Sequence, residues 1–192
     1  MLNAPISSDI SKVKLIIFDV DGVLTNGKKA YGMNGEKLFK SFGDLDFTAM
    51  KVMKTLGFSV IWLSGDEVVN QSVAKLKGIP FYCTRQKDGT NVDKITLLPS
   101  LLEEYCVSEK QVWFIGDDIF DLNLVKAVGF SSCPVNASFL VKNEVKLIHK
   151  NKSGDNIASE VLEILLLNHK IKNVDVSSIL ERQNLDSLKN NR

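Results

Sequence analysis

Short apolar runs alternate with segments of helical periodicity along most of this chain. The runs have the length and the Val, Ile and Phe content of buried β-strands. The predicted strands are Val13–Phe18, Ser59–Leu63, Pro80–Cys83, Val112–Ile115, Ser131–Val135 and Val145–Ile148. Strands separated by helices pair in parallel and are covered on both faces. The pattern therefore predicts an α/β fold with a doubly wound, Rossmann-like parallel sheet.

Between these runs, apolar residues recur at helical spacing. The predicted helices are Asp46–Leu56, Glu67–Lys77, Asn91–Tyr105, Asp121–Val128 and Ser153–Leu167. The third contains Pro99, so we expect that helix to kink or restart there.

One insertion interrupts the alternation after the first strand. Two strand-like segments, Ala30–Met33 and Glu36–Phe42, flank Asn34-Gly35, and this dipeptide is a strong signal for a hairpin turn. The sequence thus predicts a small β-hairpin beside the end of the first strand. Neither Thr25–Asp46 nor Gly65–Lys94 has room for a large cap domain. We expect an open site, which a neighbouring subunit could complete.

The chain is predicted to divide into one domain, residues 1–168, and a polar tail, residues 169–192. Two interpretations of the tail stay open. It is either a frayed or weakly helical terminus or a segment that docks on a partner subunit.

Composition narrows the class of protein. The formal net charge is +1, so bulk charge indicates neither a nucleic-acid nor a membrane partner. The segment Met1–Lys12 lacks a signal-peptide pattern, and no apolar run is long enough to span a bilayer. Cys83, Cys106 and Cys133 show no CxxC spacing, so we expect small core residues in a reducing cytoplasm.

Polar and charged residues follow several of the predicted strands. The first strand leads into Asp19 and Asp21, the second into Ser64-Gly65-Asp66, and the fourth into a glycine followed by an acidic cluster. That cluster contains Asp117, Asp118 and Asp121, and Lys94 precedes the fourth strand. Because ligands gather at the carboxyl ends of strands in such sheets, we expect these groups to meet at one edge.

Each of these groups alone has a simpler interpretation. Ser64 could cap the following helix, Lys94 could be a solvated surface residue, and Asp66 could be ordinary acidity in a first helical turn. The acidic cluster could equally start a helix. Together, their order matches phosphoryl transfer, in which a carboxylate attacks phosphorus while Mg²⁺ offsets the repulsion between two anions.

The segment DVDGVLT directly after an apolar run resembles the first motif of the haloacid dehalogenase superfamily, and the other motifs follow in the expected order. The resemblance implies that Asp19 is the nucleophile and a metal ligand. It implies that Asp21 is the general acid/base and contributes a backbone carbonyl to the metal. Asp117 would be the third ligand, with Asp118 and Asp121 in support. Ser64, Gly65 and Lys94 would bind the phosphoryl group.

The absent cap and the hairpin with its NGEK segment resemble a small group of sugar-acid phosphatases. Its members act on 3-deoxy-D-manno-octulosonate 8-phosphate or acylneuraminate 9-phosphates. The resemblance implies a Mg²⁺-dependent phosphatase for a small sugar-acid phosphate, assembled as a homotetramer. It also makes Asp46 and Gly154 candidate substrate contacts.

The chain departs from that group at positions where the group has arginines. These are Leu45-Asp46-Phe47, Asn70-Gln71 and the segment Ser153–Glu160. Arginine is the natural bidentate partner of a carboxylate, so the departures concern the substrate. Arg85, Lys87 or Lys152 could compensate.

Two alternatives therefore stay open. One is a phosphatase of the same fold with an unrelated small sugar phosphate as its substrate. The other is a non-catalytic oligomerisation module.

Overall fold

The computed structural model describes residues 9–171 and 173–190. A parallel sheet of six strands forms its centre. The strands are β1 (Leu15–Phe18), β4 (Ser59–Ser64), β5 (Phe81–Cys83), β6 (Val112–Ile115), β7 (Phe130–Cys133) and β8 (Leu147–Ile148), in the order β5-β4-β1-β6-β7-β8. The doubly wound α/β fold predicted from the sequence is confirmed.

Helices cover both faces of this sheet. They are α1 (Asp44–Thr55), α2 (Val68–Leu76), α3 (Leu98–Glu104), α4 (Leu122–Ala127), α5 (Phe139–Lys142), α6 (Ile157–Asn168) and α7 (Val176–Asn190). The side chains of β1 alternate between the two layers. Ile16 and Phe18 join one hydrophobic core and Leu15 and Ile17 the other, so both faces of the central strand are buried.

The predicted hairpin is present, but its strands are shorter than expected. Strands β2 (Ala30–Tyr31) and β3 (Lys37–Phe39) pair antiparallel, and Gly35 in the turn has a φ of 78°. No large cap domain is inserted within the described residues. The hairpin stands beside the carboxyl edge of β1.

The predicted helix over Asn91–Tyr105 is wrong in its first part. Lys94–Leu97 form a 3₁₀ turn, and α3 begins only at Leu98. Pro99 therefore lies in the first turn of α3, where its missing N–H leaves no helical hydrogen bond unmade. The proline starts this helix instead of kinking it.

The segment after residue 168 contains α7, which packs against α1 of the same chain. Residues 1–8, which belong to the segment Met1–Lys12 discussed above, and residues 172, 191 and 192 of the predicted tail lie outside the described residues. Among the helices that the structure describes, none has both the length and the apolar character needed to cross a bilayer.

All three cysteines are free, but only Cys133 is fully buried. Cys106 is exposed, so its predicted core position is wrong. Its φ of 51° places it in the left-handed turn that follows α3.

Candidate active site

The two acidic clusters meet at the carboxyl edge of the sheet because β1 and β6 are neighbours. The backbone N–H of Asp19 donates a hydrogen bond of 2.9 Å to the carbonyl of Ile115, which continues the pairing of the two strands. The Asp19 side chain therefore emerges beside the loop that carries Asp117, Asp118 and Asp121. These residues were expected to converge, and the structure brings them together.

Lys94 links the two clusters through its ammonium group. Its Nζ lies 2.8 Å from Oδ1 of Asp19 and 2.6 Å from Oδ1 of Asp121. Burial alone would lower the pKa of Lys94, but the adjacent carboxylates of Asp19 and Asp121 raise it. Only 6% of Lys94 is exposed, so the alternative of a solvated surface lysine is wrong.

Asp121 also organises the loop after β6. Its Oδ2 accepts hydrogen bonds from the backbone N–H groups of Asp117 (2.8 Å) and Asp118 (3.1 Å). The Asp118 carboxylate accepts from the N–H of Ile119 and so begins the short 3₁₀ turn that follows. Both oxygens of Asp121 are thus already engaged.

Three carboxylates at this edge could hold a divalent cation. Each of Asp19, Asp117 and Asp121 offers an oxygen within 4.8 Å of the others. Oδ1 of Asp117 is buried and has no hydrogen-bond partner, whereas both Asp121 oxygens have partners. A hard cation such as Mg²⁺ prefers carboxylate oxygens, so the donor set fits it, with Asp19 and Asp117 as the more available ligands.

The carboxyl pKa values reflect this crowding. Burial, together with repulsion from Asp19 and Asp121, raises the pKa of Asp117 to about 8. Burial likewise raises the pKa of Asp19 to about 6, although Lys94 opposes the shift. Several buried carboxylates close together raise the free energy of the folded state unless a cation offsets their charge. A divalent ion would supply that positive charge.

Gly22 allows the loop after β1 to approach Asp117. Its φ is 93°, and a Cβ at this position would lie 2.1 Å from Oδ2 of Asp117. A larger residue would push the two acidic loops apart. The glycine of the DVDG segment therefore has a packing role at the site.

The side chain of Asp21 lies outside the carboxylate triad and faces the hairpin. Its two oxygens each lie 2.8 Å from the Nζ of Lys40, and Oδ2 also accepts from the Asn70 amide at 3.2 Å. The Lys40 side chain is only 2% exposed. A buried lysine and an asparagine thus fix the carboxylate that the sequence suggested as general acid/base.

The Ser64 hydroxyl is prepared to donate a hydrogen bond. Its Oγ accepts from the N–H of Asp66 (3.2 Å) and from the Asn70 amide (3.1 Å). Because both lone pairs are used, the single hydroxyl proton remains available to an acceptor. Helix α2 begins at Val68 with Glu67 as its N-cap, so Ser64 does not cap that helix.

A cavity of about 480 Å³ adjoins several of these groups, and this volume suits a small metabolite. The residues expected to bind phosphate, Ser64, Gly65 and Lys94, line it together with Asp19 and Asp21. The loop of residues 85–91 contributes Arg85 and Asn91, which form a β-bridge with each other. Lys87 and Lys152 do not line the cavity.

Reasoning from the sequence missed Lys40 as a site residue, and it named Asn70 only as a position where the resembling group has an arginine. Asn70 is fully buried, and its amide oxygen accepts from Lys40 at 2.9 Å. The sequence offered only a lysine near the hairpin and an asparagine on a helix, and neither pattern is unusual. Their meeting depends on how the hairpin and α2 pack, which local spacing does not encode.

Asp46 and Gly154 lie away from the cavity. Oδ1 of Asp46 accepts from the N–H groups of Ala158 (2.8 Å) and Ser159 (3.4 Å), at the start of α6. Gly154 has a φ of 73° and packs against the backbone of Asn26. Their contacts in this structure are internal to the fold.

A family profile described as haloacid dehalogenase-like hydrolase matches residues 89–161, the part of the chain that includes Lys94 and the second acidic cluster. The 3-deoxy-D-manno-octulosonate 8-phosphate phosphatase KdsC of Haemophilus influenzae is 31% identical over 159 residues. That alignment covers 82% of this chain and 84% of the relative.

Solved structures of octulosonate 8-phosphate phosphatases also match this chain. The cobalt-bound form of the H. influenzae octulosonate 8-phosphate phosphatase matches with a TM-score of 0.77 and 30% identity, over 85% of this chain and 92% of its own. The Moraxella catarrhalis phosphatase, in complex with magnesium, phosphate and the sugar acid KDO, matches with a TM-score of 0.76 and 26% identity. It covers 85% of this chain and 91% of its own.

Proposed function

Because this chain belongs to the haloacid dehalogenase-like hydrolases and is a phosphatase of that family, we propose that its substrate is a phosphorylated sugar acid. The substrate would be of the octulosonate 8-phosphate or acylneuraminate 9-phosphate type, hydrolysed through an aspartyl-phosphate. The observation that carries the proposal is the buried Asp19–Lys94–Asp121 cluster, which shares one cavity with Asp21 and Ser64. The curated relatives are octulosonate 8-phosphate phosphatases, and they support the sugar-acid class.

Asp19 acts as the nucleophile in this proposal. Its carboxylate oxygen forms a bond to phosphorus while the bond between phosphorus and the sugar oxygen breaks. Lys94 holds the Asp19 carboxylate from the side and faces the cavity, where it can also neutralise phosphoryl oxygens. The Ser64 hydroxyl accepts two hydrogen bonds from the protein, so its proton can be donated to a phosphoryl oxygen.

Asp21 acts as the acid and then as the base. It gives a proton to the departing sugar oxygen, and it later takes one from the water that attacks the phosphorus of the aspartyl-phosphate. The second step releases phosphate and restores the Asp19 carboxylate. Lys40 and Asn70 orient the Asp21 carboxylate for both transfers.

Asp19, Asp117 and the Asp21 backbone carbonyl would hold Mg²⁺, with Asp121 in support. When bound, the ion would supply positive charge that offsets repulsion between the nucleophile and the phosphate. The orphaned Oδ1 of Asp117 and the raised pKa values of Asp117 and Asp19 support this assignment.

Phosphate release from a panel of substrates tests the proposal. The panel contains octulosonate 8-phosphate, an acylneuraminate 9-phosphate and neutral hexose phosphates, assayed with Mg²⁺ and with EDTA. Asp19→Asn is the blank. We expect a sugar-acid phosphate to give the highest kcat/KM, with activity lost in EDTA. A higher kcat/KM for a neutral sugar phosphate would transfer the assignment to the unrelated-substrate alternative.

We also propose that the protein is a homotetramer in which hairpins contribute to the interface. The hairpin exposes large apolar side chains, with Tyr31 56%, Leu38 56% and Phe39 65% exposed, and Met33 fully exposed. Exposed apolar patches of this kind mark contact surfaces. Sedimentation at micromolar concentration should give a tetramer, and Phe39→Glu should dissociate it. A wild-type monomer would contradict the proposal.

A cytoplasmic location completes the proposal. The three free cysteines, none of which is bridged, support a reducing compartment.

A further inference from the structure

Three lysines converge on one carboxylate oxygen at the hairpin end of the cavity. The Nζ atoms of Lys37, Lys40 and Lys29 lie 2.6, 2.8 and 3.5 Å from Oδ2 of Asp66. Lys37 lies in the hairpin and Lys29 and Lys40 directly flank it, whereas Asp66 follows β4. Burial alone would raise the pKa of Asp66, but hydrogen bonds from Lys37 and Lys40 lower it.

The three lysines are not equivalent. Lys40 is buried and also binds Asp21, so its charge is already shared between two carboxylates. The side chains of Lys37 and Lys29 are 36% and 32% exposed, and both line the cavity. Lys29, Lys37 and Lys40 all contact Asp66, which carries a single negative charge. Positive charge is therefore in excess at this end of the cavity.

Arg85 lies on the same wall but is less available. Its Nε donates to the carbonyl of Gly65 at 3.2 Å, and a terminal nitrogen donates to the carbonyl of Gly89 at 3.3 Å. These bonds hold the guanidinium against the backbone. In the part of the chain that the structure describes, the ammonium groups of Lys29 and Lys37 have no backbone carbonyl partner of this kind; they contact Asp66, are partly exposed and line the cavity.

The two ends of the cavity thus have opposite chemistry. One end holds the carboxylates of Asp19 and Asp121 against Lys94, and the other presents Lys29 and Lys37. We propose that Lys29 and Lys37 form a subsite for the substrate's carboxylate, so that the enzyme selects phosphorylated acids over neutral sugar phosphates. This inference rests on the proposed function and assigns it specificity residues.

The arrangement also explains how the subsite is kept ready. Without substrate, Asp66 takes the place of the carboxylate and holds both lysine side chains at the cavity wall. When an acid enters, Lys29 and Lys37 exchange part of their contact with Asp66 for the new anion, and Asp66 keeps Lys40. Such binding remote from the reacting phosphorus lowers KM more than it raises kcat.

Steady-state kinetics with matched variants test the subsite. The variants are Lys37→Met, Lys29→Met, the charge-preserving Lys37→Arg, and the control Lys28→Met, an exposed neighbour that does not line the cavity. The substrates are octulosonate 8-phosphate, neutral ribose 5-phosphate and fructose 1,6-bisphosphate, which carries a second phosphate in place of a carboxylate.

We expect Lys37→Met and Lys29→Met each to raise KM for the acid about tenfold, the order of a lost charge-assisted hydrogen bond, with kcat little changed. Ribose 5-phosphate should be unaffected by either change, Lys37→Arg should retain the preference, and Lys28→Met should behave as wild type. An equal loss for acid and neutral substrates would overturn the inference. So would a preference for the bisphosphate over the acid.

Calorimetry separates this inference from the proposed function. Binding of octulosonate 8-phosphate and ribose 5-phosphate is measured with Mg²⁺ on Asp19→Asn, alone and combined with Lys37→Met. Tighter binding of the acid that Lys37→Met abolishes supports the subsite even if wild-type turnover of the acid is absent. Equal affinities for the two ligands contradict the subsite even if both are hydrolysed.

Discussion

Asp117 is the carboxyl group of the site whose surroundings most disfavour a negative charge. Its Oδ1 is buried without a partner, and burial with nearby carboxylates raises its pKa to about 8 from an ordinary value of 3.8. The folded state therefore holds this proton more tightly than the unfolded chain. The stability that the group contributes is present below about pH 4 and is lost as the pH rises towards 8.

Asp117→Asn should therefore stabilise the metal-free protein while disabling it. The neutral amide removes the buried charge, so we expect a higher Tm than wild type, with a larger gain at pH 8 than at pH 5. Mg²⁺ should raise the Tm of wild type at pH 8 and leave the variant unchanged. Scanning calorimetry of both proteins in EDTA and in Mg²⁺ makes the measurement. An equal Mg²⁺ response in the two proteins would remove Asp117 from the metal site.

At this scale, the sequence predicted the residues with strong motifs and missed those that meet through packing. Asp19 and Lys94 were expected at one edge because strand ends in a parallel sheet converge there. Lys40 could not be found in this way, because its burial depends on the hairpin folding back onto α2. The same packing makes Asn70 the bridge between Asp21 and Ser64.

Helix α6 is tied to helix α1 by a cap that is remote in sequence. Asp46, in the first turn of α1, accepts hydrogen bonds from the first N–H groups of α6. These N–H groups have no partner within their own helix. A local pattern could not predict this bond, since the two residues are more than a hundred positions apart.

Asp46→Ala should lower stability and spare catalysis. Loss of a helix cap costs about 1 kcal/mol, so urea unfolding should show a decrease of that order, while kcat/KM stays near wild type. Asp46→Asn, which keeps an acceptor oxygen, should lose less. A selective rise in KM for the acid in Asp46→Ala would instead place this residue in contact with substrate.

A second set of hydrogen bonds joins α6 to the segment that follows the edge strand β8. The Glu160 carboxylate accepts from the N–H groups of Lys150 (3.0 Å) and Asn151 (3.2 Å) and lies 3.5 Å from Nδ1 of His149. Burial would raise the pKa of Glu160, but the nearby His149 ring and the hydrogen bond from the Lys150 backbone lower it to about 2. Its ordinary value is 4.5.

Glu160 should therefore stabilise the fold in a pH-dependent way. A lowered pKa means that its contribution is present above about pH 4.5 and is lost as the pH falls towards 2. Glu160→Gln should be less stable than wild type at pH 6, and the difference in unfolding free energy should shrink at lower pH. Urea titrations at several pH values measure this. A difference independent of pH would show that the Glu160 charge is not involved.

The elements themselves were largely predictable. Strands buried on both faces read as continuous apolar runs, which is why Val112–Ile115 was predicted with its observed bounds. The start of β7 was missed by one residue, because Phe130 enters the strand by pairing with Trp113. Pairing of that kind belongs to the tertiary structure.

At the scale of the whole molecule, the hairpin contributes both to the cavity and to the exposed apolar surface. It places Lys37 at the cavity wall and leaves the side chain of Phe39 65% exposed, and Lys40, directly after β3, binds the Asp21 carboxylate. The sequence predicted a hairpin there, but not that it carries charges into the site. The division of the chain at residue 168 stays a prediction, and α7 beyond it packs on α1.

The central claim is that Asp19 carries the phosphoryl group during turnover. Asp21→Asn removes both the acid of the first step and the base that activates water in the second. The phospho-enzyme should therefore accumulate when this variant is mixed with Mg²⁺ and p-nitrophenyl phosphate, whose leaving group departs without a proton, and is quenched in acid. Mass spectrometry of the peptide that contains Asp19 should find one phosphoryl group, absent in EDTA and absent when Asp19→Asn is added. Substrate turnover with no phosphoryl group on Asp19, or full activity in Asp19→Asn, would contradict the account.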